Sequence, residues 1–275
     1  MRLVTYDAGQ GPTAGILLAE KIVPTQASSV RALLERPRRD RLEGLVGESG
    51  EGVLLEAVRL LAPIPDPEKI ICLGLNYRDH AEEAHQEIPS APMWFAKFAN
   101  SLIGSGEPIV LPAAHPEYVD YEAELAVVIG RTARNVSEGD ALSCIAGAMP
   151  FNDVSARDLQ LQNSLWASGK TIDTFAPCGP ALVLMDEIAD LQGLGLRTRI
   201  NGKVVQDGTT AKQIFGVAEV VAWLSRTITL VPGDIIATGT PAGVGAMKNI
   251  FLRAGDTVEV EVDGLGAVSN PVKAA

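Results

Sequence analysis

Three carboxylates in two short stretches of the sequence are candidate metal ligands. Read as a strand, residues 120–128 place Glu122 and Glu124 on one face, which turns apolar after them. Asp153 follows an apolar stretch and is positioned to leave a strand into a loop. Carboxylates without a histidine or thiolate partner suit a hard divalent cation, Mg²⁺ or Mn²⁺, and disfavour zinc. Exposed glutamates at a strand end, and Asp153 as a helix N-cap, are the alternatives that the residues leave open.

A histidine and a glutamate, His80 and Glu83, are spaced to share one face of a predicted helix, within hydrogen-bond reach of each other. Asn76 is expected to cap that helix. A carboxylate beside an imidazole fixes the tautomer of the ring and raises its basicity, as a general base requires. A surface pair without a catalytic role is the alternative for these two residues alone.

Two other stretches carry weaker signals. Lys170 follows a glycine, and a glycine-rich turn at 238–243 follows the predicted strand 234–237. The turn lacks the Gly-Lys-Ser/Thr ending of a phosphate-binding loop, so we do not expect a nucleotide site.

The elements that would position these residues are mostly short strands. The Asn201-Gly202 pair predicts a type I′ hairpin turn, and a second helix is expected to begin near Thr209 or Thr210. That helix carries apolar residues at helical spacing, Ile214, Val217, Val221 and Leu224. Apolar or alternating runs predict strands at 70–73, 125–129, 197–200, 204–205 and 258–262. Many short strands with few helices predict a β-rich α+β fold.

The alternate prolines at 63, 65 and 67 predict a semi-rigid connector. We therefore expect a small N-terminal α/β domain, 1–65, and a larger catalytic domain, 66–275. The first contains a predicted hairpin, 1–7 with 15–18, and a short helix near 29–35.

The composition excludes several classes of function. The 275 residues include 34 acidic and 23 basic ones, a net charge of −11, which argues against binding to nucleic acid or to anionic lipid. The basic cluster Arg36, Arg38, Arg39 and Arg41 is expected to lie on a solvated surface. The widely spaced cysteines fit core thiols in a reducing compartment. Because no apolar run is long enough to cross a membrane and no signal peptide is evident, we expect a cytoplasmic protein.

Taken in order along the chain, the motifs resemble the fumarylacetoacetate hydrolase family over roughly 67–272. The matching segments are LGLNYRDHAEE, VDYEAELAVVIG, FNDVSARDLQ, GKTIDTFAPCGP, NGKVVQDGTT, LVPGDIIATGTPAGVG and FLRAGDTVEVEVDGLG. The resemblance implies a β-sandwich roll, a homodimer and a divalent metal, Mg²⁺ with Mn²⁺ or Ca²⁺ as alternatives. By motif position, the ligands it implies are Glu122, Glu124 and Asp153.

The resemblance also implies roles for other residues. His80, Glu83 and Lys170 match catalytic positions of the family. A further group matches positions that face the substrate: Arg157, Gln160, Thr240, Gly239 and Tyr77. The chain departs from the family near Gly147, which no tyrosine follows, and at Thr171, where serine is usual. These departures affect the expected shape of the substrate pocket.

Three functions follow from these expectations. The first is metal-dependent hydrolysis of a carbon–carbon bond in an acylpyruvate-type β-diketo acid, with His80 activating water. The second uses the same site for decarboxylation of oxaloacetate, or for isomerisation or hydration of a 2-oxo acid. The third is a non-catalytic Ca²⁺-dependent binding protein, which leaves His80, Glu83 and Lys170 without roles. In the first two, the partner is a small 2-oxo acid.

Overall fold

The helices of the protein are short, and its strands are many. A computed structural model of the chain describes residues 1–34, 44 and 52–275. The described helices are α1 (Val30–Leu34), α2 (Arg78–Glu83), α3 (Glu138–Ala141), α4 (Arg157–Gln160), α5 (Ala167–Lys170), α6 (Val217–Ser225) and α7 (Gly245–Lys248). The predicted basic cluster and the end of the predicted helix at Glu35 lie outside the described residues.

The described strands belong to two large sheets and two small pairs. They are β1 (Arg2–Asp7), β2 (Pro12–Leu18), β3 (Lys21–Pro24), β4 (Val53–Leu54), β5 (Arg59–Leu60), β6 (Ile70–Gly74), β7 (Met93–Lys97), β8 (Leu102–Ile103), β9 (Ile109–Leu111), β10 (Val119–Asp120), β11 (Ala123–Ile129), β12 (Ile145–Asn152), β13 (Ser155–Ala156), β14 (Ala176–Pro177), β15 (Leu182–Leu184), β16 (Gly195–Ile200), β17 (Lys203–Thr209), β18 (Ile235–Ala237), β19 (Thr257–Val262) and β20 (Gly266–Ala274). The predicted β-rich α+β class is confirmed.

The larger sheet has the order β4-β3-β2-β1-β15-β12-β11-β18-β6-β7, with β5 paired to β1. The N-terminal strands extend this sheet because β1 pairs with β15. The expected domain boundary at residue 65 stays a prediction. Among the described residues, no helix has the length and hydropathy that a membrane-spanning helix needs.

The second sheet, β17-β16-β19-β20-β9, packs against the larger one. Leu125 and Val127 of β11 share a buried core with Val260 and Val262 of β19. The strand β19 alternates buried and partly exposed residues, as the sequence predicts. Both faces of β11 are covered, so each of its residues is buried.

Two helix starts differ from the sequence prediction. The N-cap of α2 is Tyr77, and the Asn76 side chain instead bonds the backbone of Phe215 and Thr238. A 3₁₀ turn, Thr210–Lys212, begins at the predicted position with Thr209 as its N-cap, but the α-helix α6 begins only at Val217, after Gln213 leaves the helical conformation and forms a bridge with Tyr77. In both places, tertiary hydrogen bonds override the local helix signal.

The predicted hairpin between β16 and β17 is confirmed. Asn201 and Gly202 have φ angles of 52° and 79°, the two positive values that a type I′ turn requires.

Replacing Gly202 with alanine should lower the free energy of unfolding by about 1 kcal/mol, because an L-residue resists the left-handed conformation. Urea denaturation measures the change. Gly139→Ala is the matched control: Gly139 lies in α3, and a Cβ there would make only an ordinary contact with Ser137 Oγ at 3.8 Å, so alanine should be neutral or stabilising. Equal stability of Gly202→Ala and the wild type would contradict this account of the turn.

Candidate metal centre and active site

The three candidate metal ligands meet where β11 begins and β12 ends. The two strands are antiparallel, with Ala123 opposite Asn152. Beyond this pair, the Asp153 N–H donates to the carbonyl of Glu122 at 3.0 Å. The sequence therefore folds so that the residue before one strand faces the residue after the other.

Carboxylate oxygens of Glu122, Glu124 and Asp153 lie within 4.8 Å of one another, and all three residues are buried. The alternative of exposed glutamates is therefore wrong. The N-cap alternative for Asp153 is also wrong, because the N-cap of α4 is Ala156. The arrangement is a buried, all-oxygen acidic cluster that could hold a divalent metal.

Cations compensate most of this buried negative charge. Lys170 Nζ lies 2.9 Å from Glu122 Oε2 and 2.8 Å from Asp153 Oδ2. Lys97 Nζ donates to Asp153 Oδ1 at 2.6 Å. The contacts form a chain of alternating charge, Asp120–Arg157–Glu122–Lys170–Asp153–Lys97.

The surrounding charges and burial shift the pKa values of Glu122 and Glu124 in opposite directions. Burial opposes ionisation of Glu122, but Lys170 and Arg157 outweigh it and lower its pKa to about 2. Burial, Asp153 and Glu122 together raise the pKa of Glu124 well above its ordinary value. Burial disfavours the ammonium of Lys170, yet Asp153 and Glu122 still raise its pKa, so it stays charged at neutral pH.

Glu124 has the oxygen that fits a metal best. Its Oε2 accepts the Gly239 N–H at 2.9 Å, whereas its buried Oε1 has no hydrogen-bond partner among the described residues. A divalent cation would supply that partner and remove the repulsion that raises the pKa of this carboxyl.

The His80 and Glu83 side chains lie on α2 as the spacing predicts. His80 Nδ1 is 3.6 Å from Glu83 Oε2, which is beyond hydrogen-bond distance, so the bond expected from the sequence is not formed here. Glu83 Oε2 instead accepts the Gly243 N–H at 2.8 Å. His80 Nδ1 is buried without a partner in the described part of the chain.

Arg157 and Gln160 extend from α4 toward the carboxylates. Arg157 Nη1 lies 2.7 Å from Glu122 Oε1 and donates to Gln160 Oε1 at 2.9 Å. Arg157 Nη2 is buried and makes no hydrogen bond to the described residues, although it lies 2.7 Å from Asp120 Oδ2. One N–H of Nη2 therefore faces Asp120, and the other could donate to an anionic ligand.

The remaining predicted substrate contacts have structural partners. Thr240 donates to the carbonyl of Ala123 at 2.9 Å and accepts from Gln206. Gly239 bonds Glu124, and the buried Tyr77 hydroxyl accepts from Gln213 Nε2 at 3.3 Å. The structure shows where these three residues lie, and their contact with substrate stays a prediction.

Sequence reasoning missed Lys97 and Asp120, both of which belong to the charge chain. Lys97 could have been noticed because it is a charged residue in the otherwise apolar strand β7. Asp120 directly precedes the acidic motif, but its partners are remote in sequence.

Comparison with known proteins identifies the family. Residues 69–273 match the family model described as fumarylacetoacetate (FAA) hydrolase C-terminal. The chain belongs to the fumarylacetoacetate hydrolase family. One relative in this family is the mitochondrial oxaloacetate tautomerase fahd2 of Xenopus laevis, which is 49% identical over 219 residues, covering 78% of this chain and 68% of the relative. The cytoplasmic location expected from the sequence stays a prediction.

Solved structures in the fumarylacetoacetate hydrolase family share the whole fold. The fumarylacetoacetate hydrolase of Exiguobacterium antarcticum has a TM-score of 0.90 and 33% identity, covering 100% of both chains. A maleylpyruvate hydrolase from Sphingobium sp. SYK-6, in complex with manganese(II) and pyruvate, has a TM-score of 0.85 and 28% identity, again over 100% of both chains.

The variant Glu124→Gln separates metal binding from folding. Because the pKa of Glu124 is raised in the folded state, the metal-free wild type should lose stability as the pH rises through that pKa. The neutral glutamine should remove this loss, so the metal-free variant should melt at the higher temperature at neutral pH. Adding Mg²⁺ or Mn²⁺ at 100 times Kd should stabilise only the wild type, by about 2.7 kcal/mol.

Thermal unfolding in EDTA and in metal, across the pH range, measures both effects. Metal stabilisation of Glu124→Gln equal to that of the wild type would exclude Glu124 as a ligand.

Proposed function

We propose that this protein is a divalent-metal-dependent isomerase that interconverts the keto and enol forms of oxaloacetate. The observation that carries the proposal is that three buried side-chain atoms of the candidate site make no hydrogen bond to the described residues. Glu124 Oε1 is an acceptor for a metal, His80 Nδ1 can hold or release a proton, and Arg157 Nη2 is a donor for a carboxylate. These are the three groups that proton transfer on a chelated 2-oxo acid needs.

The similarity to a tautomerase supports isomerisation over hydrolysis. The Xenopus laevis relative, at 49% identity, bears the name oxaloacetate tautomerase. Tautomerisation requires only proton transfers, and no nucleophilic side chain has to form a covalent bond.

The roles of the residues follow from their contacts. A divalent cation on the three carboxylates would supply Lewis-acid stabilisation of negative charge on the substrate. Arg157 would bind the carboxylate of the substrate through Nη2. His80 would take the proton from C3 of the keto form and return it to the C2 oxygen to give the enol, with Glu83 stabilising the imidazolium between the two transfers. Lys170, held as an ammonium by two carboxylates, would contribute positive charge beside the enolate and is not the base.

Hydrolysis of an acylpyruvate is the second candidate. The His80–Glu83 pair would also suit activation of water, and the maleylpyruvate hydrolase neighbour shares the fold at 28% identity. Decarboxylation of oxaloacetate would use the same metal and Arg157. The three reactions differ in product, so one panel distinguishes them.

His80→Ala should slow tautomerisation of oxaloacetate by roughly 10²–10⁴-fold, the usual contribution of a positioned general base. Glu83→Gln should give a smaller loss, because it keeps the shape but removes the charge beside the ring. With Mg²⁺ present, enol absorbance follows tautomerisation, carbon dioxide release follows decarboxylation, and organic acid formation from acylpyruvates follows hydrolysis.

The matched control is His85→Asn, since His85 is exposed at the end of the same helix and has a φ of 52° that asparagine tolerates. It should leave the rate unchanged. Cleavage of acylpyruvates without tautomerisation of oxaloacetate would favour the hydrolase instead. Absence of every metal-dependent turnover would favour the non-catalytic Ca²⁺-binding alternative.

A homodimer is the proposed assembly, and it rests on the family resemblance. Light scattering at micromolar concentration should give about twice the 29.0 kDa mass of one chain. A mass near that of the single chain would contradict the proposal.

A further inference from the structure

We infer that Asp120 is a positioning residue that holds Arg157 in place to bind the carboxylate of a 2-oxo acid. The inference rests on the proposed function for the assignment of Arg157 to the substrate. Asp120 itself is buried, and it lies one residue before the first candidate metal ligand.

Hydrogen-bond donors converge on both oxygens of Asp120. Oδ1 accepts the N–H groups of Tyr121 at 2.8 Å and of Gly245 at 2.7 Å. Oδ2 accepts Arg157 Nε at 2.8 Å and the Ala246 N–H at 2.9 Å. All four partners are donors, so an ionised carboxylate satisfies them and an amide would not.

These contacts fix the orientation of the guanidinium. Asp120 Oδ2 lies within 2.8 Å of Arg157 Nε and 2.7 Å of Nη2, while Nη1 lies between Glu122 and Gln160. The plane of the group is thus held on two sides before any ligand binds. Nη2 is buried beside Asp120, and its second N–H, which no described residue accepts, is left to a ligand. A ligand carboxylate would accept the N–H of Nη2 that does not face Asp120, a charge-assisted hydrogen bond.

Asp120 also connects Arg157 to the segment that anchors the candidate base. A Cβ on Gly245 would clash with Asp120 Oδ1, so this segment packs directly on the carboxylate. Two residues earlier, the Gly243 N–H donates to Glu83 Oε2. One buried carboxylate therefore ties the substrate-binding arginine to the loop beside His80 and Glu83.

The test is a double-mutant cycle of Asp120→Asn and Arg157→Lys, with pyruvate binding in the presence of Mn²⁺ measured by calorimetry. Asp120→Asn should weaken pyruvate binding by about tenfold and raise the KM for oxaloacetate similarly, with a smaller effect on kcat and on Mn²⁺ affinity. Because Asp120 acts through Arg157, adding Asp120→Asn to Arg157→Lys should weaken binding no further.

Asp234→Asn is the matched control. Asp234 is also buried and bonded to a lysine, Lys69, and to backbone N–H groups, but it lies at the start of β18, away from Arg157. It should leave pyruvate affinity unchanged. Two results would overturn the inference. One is a loss of pyruvate affinity in Asp234→Asn as large as that in Asp120→Asn; the other is a double variant whose loss equals the product of the losses in Asp120→Asn and Arg157→Lys.

The outcomes also distinguish this inference from the proposed function. One outcome is a wild type that does not turn over oxaloacetate while the double-mutant cycle still shows coupled losses of pyruvate binding. That result would support the positioning role of Asp120 and reject the tautomerase activity. A wild type that binds Mn²⁺ but no pyruvate would overturn the positioning role.

If Asp120→Asn does not fold, the native protein still gives an answer. The Arg157 Nε–H proton should exchange slowly with solvent in the NMR spectrum, both before and after pyruvate is added. Fast exchange that slows only with pyruvate would mean that the ligand, and not Asp120, orders the arginine.

Discussion

Repulsion among buried carboxylates is the constraint on which the rest of this structure depends. Glu122, Glu124 and Asp153 lie within 4.8 Å of one another and away from water. Such a cluster is stable only if cations reach it with good geometry. Lysines from β7 and α5 and an arginine from α4 do so, and these elements must therefore converge on the ends of β11 and β12. No lysine or arginine among the described residues contacts Glu124, so it is the candidate ligand whose charge a metal would stabilise most.

The sheet topology explains why the other site residues lie at the same edge of the sheet as the acidic cluster. The strands β6 and β18 are parallel, so their carboxyl ends lie at the same edge of the sheet. The helix carrying His80 follows one of them, and the loop carrying Gly239 follows the other. Because β11 runs antiparallel to β18, its first residues lie at that same edge. His80, Gly239 and the acidic cluster therefore lie at one edge of the sheet, although they come from different parts of the chain.

Short stretches of the sequence were enough to predict the strands and the acidic residues. Alternation in 120–128 placed Glu122 and Glu124 on one face, and the Asn201-Gly202 turn was predictable from two residues. Lys97 was not, because a lysine in an apolar run has no local partner, and its partner Asp153 is 56 residues away. Asn76 failed as a predicted cap for the same reason: its side chain bonds atoms 139 and 162 residues away. Local patterns predicted the elements, whereas long-range polar contacts decided the details of the site.

The strand β6 contains Cys72, which is buried, forms no disulfide and lies close enough to Asp153 and Glu124 for their charges to act on it. Burial, Asp153 and Glu124 raise the pKa of its thiol well above the ordinary value, so the reactive thiolate is scarce. Alkylation or oxidation of Cys72 must then follow opening of the sheet around the centre. Any ion that stabilises the centre would slow that opening by mass action. If a divalent metal binds the three carboxylates, it would therefore also protect Cys72 from oxidation.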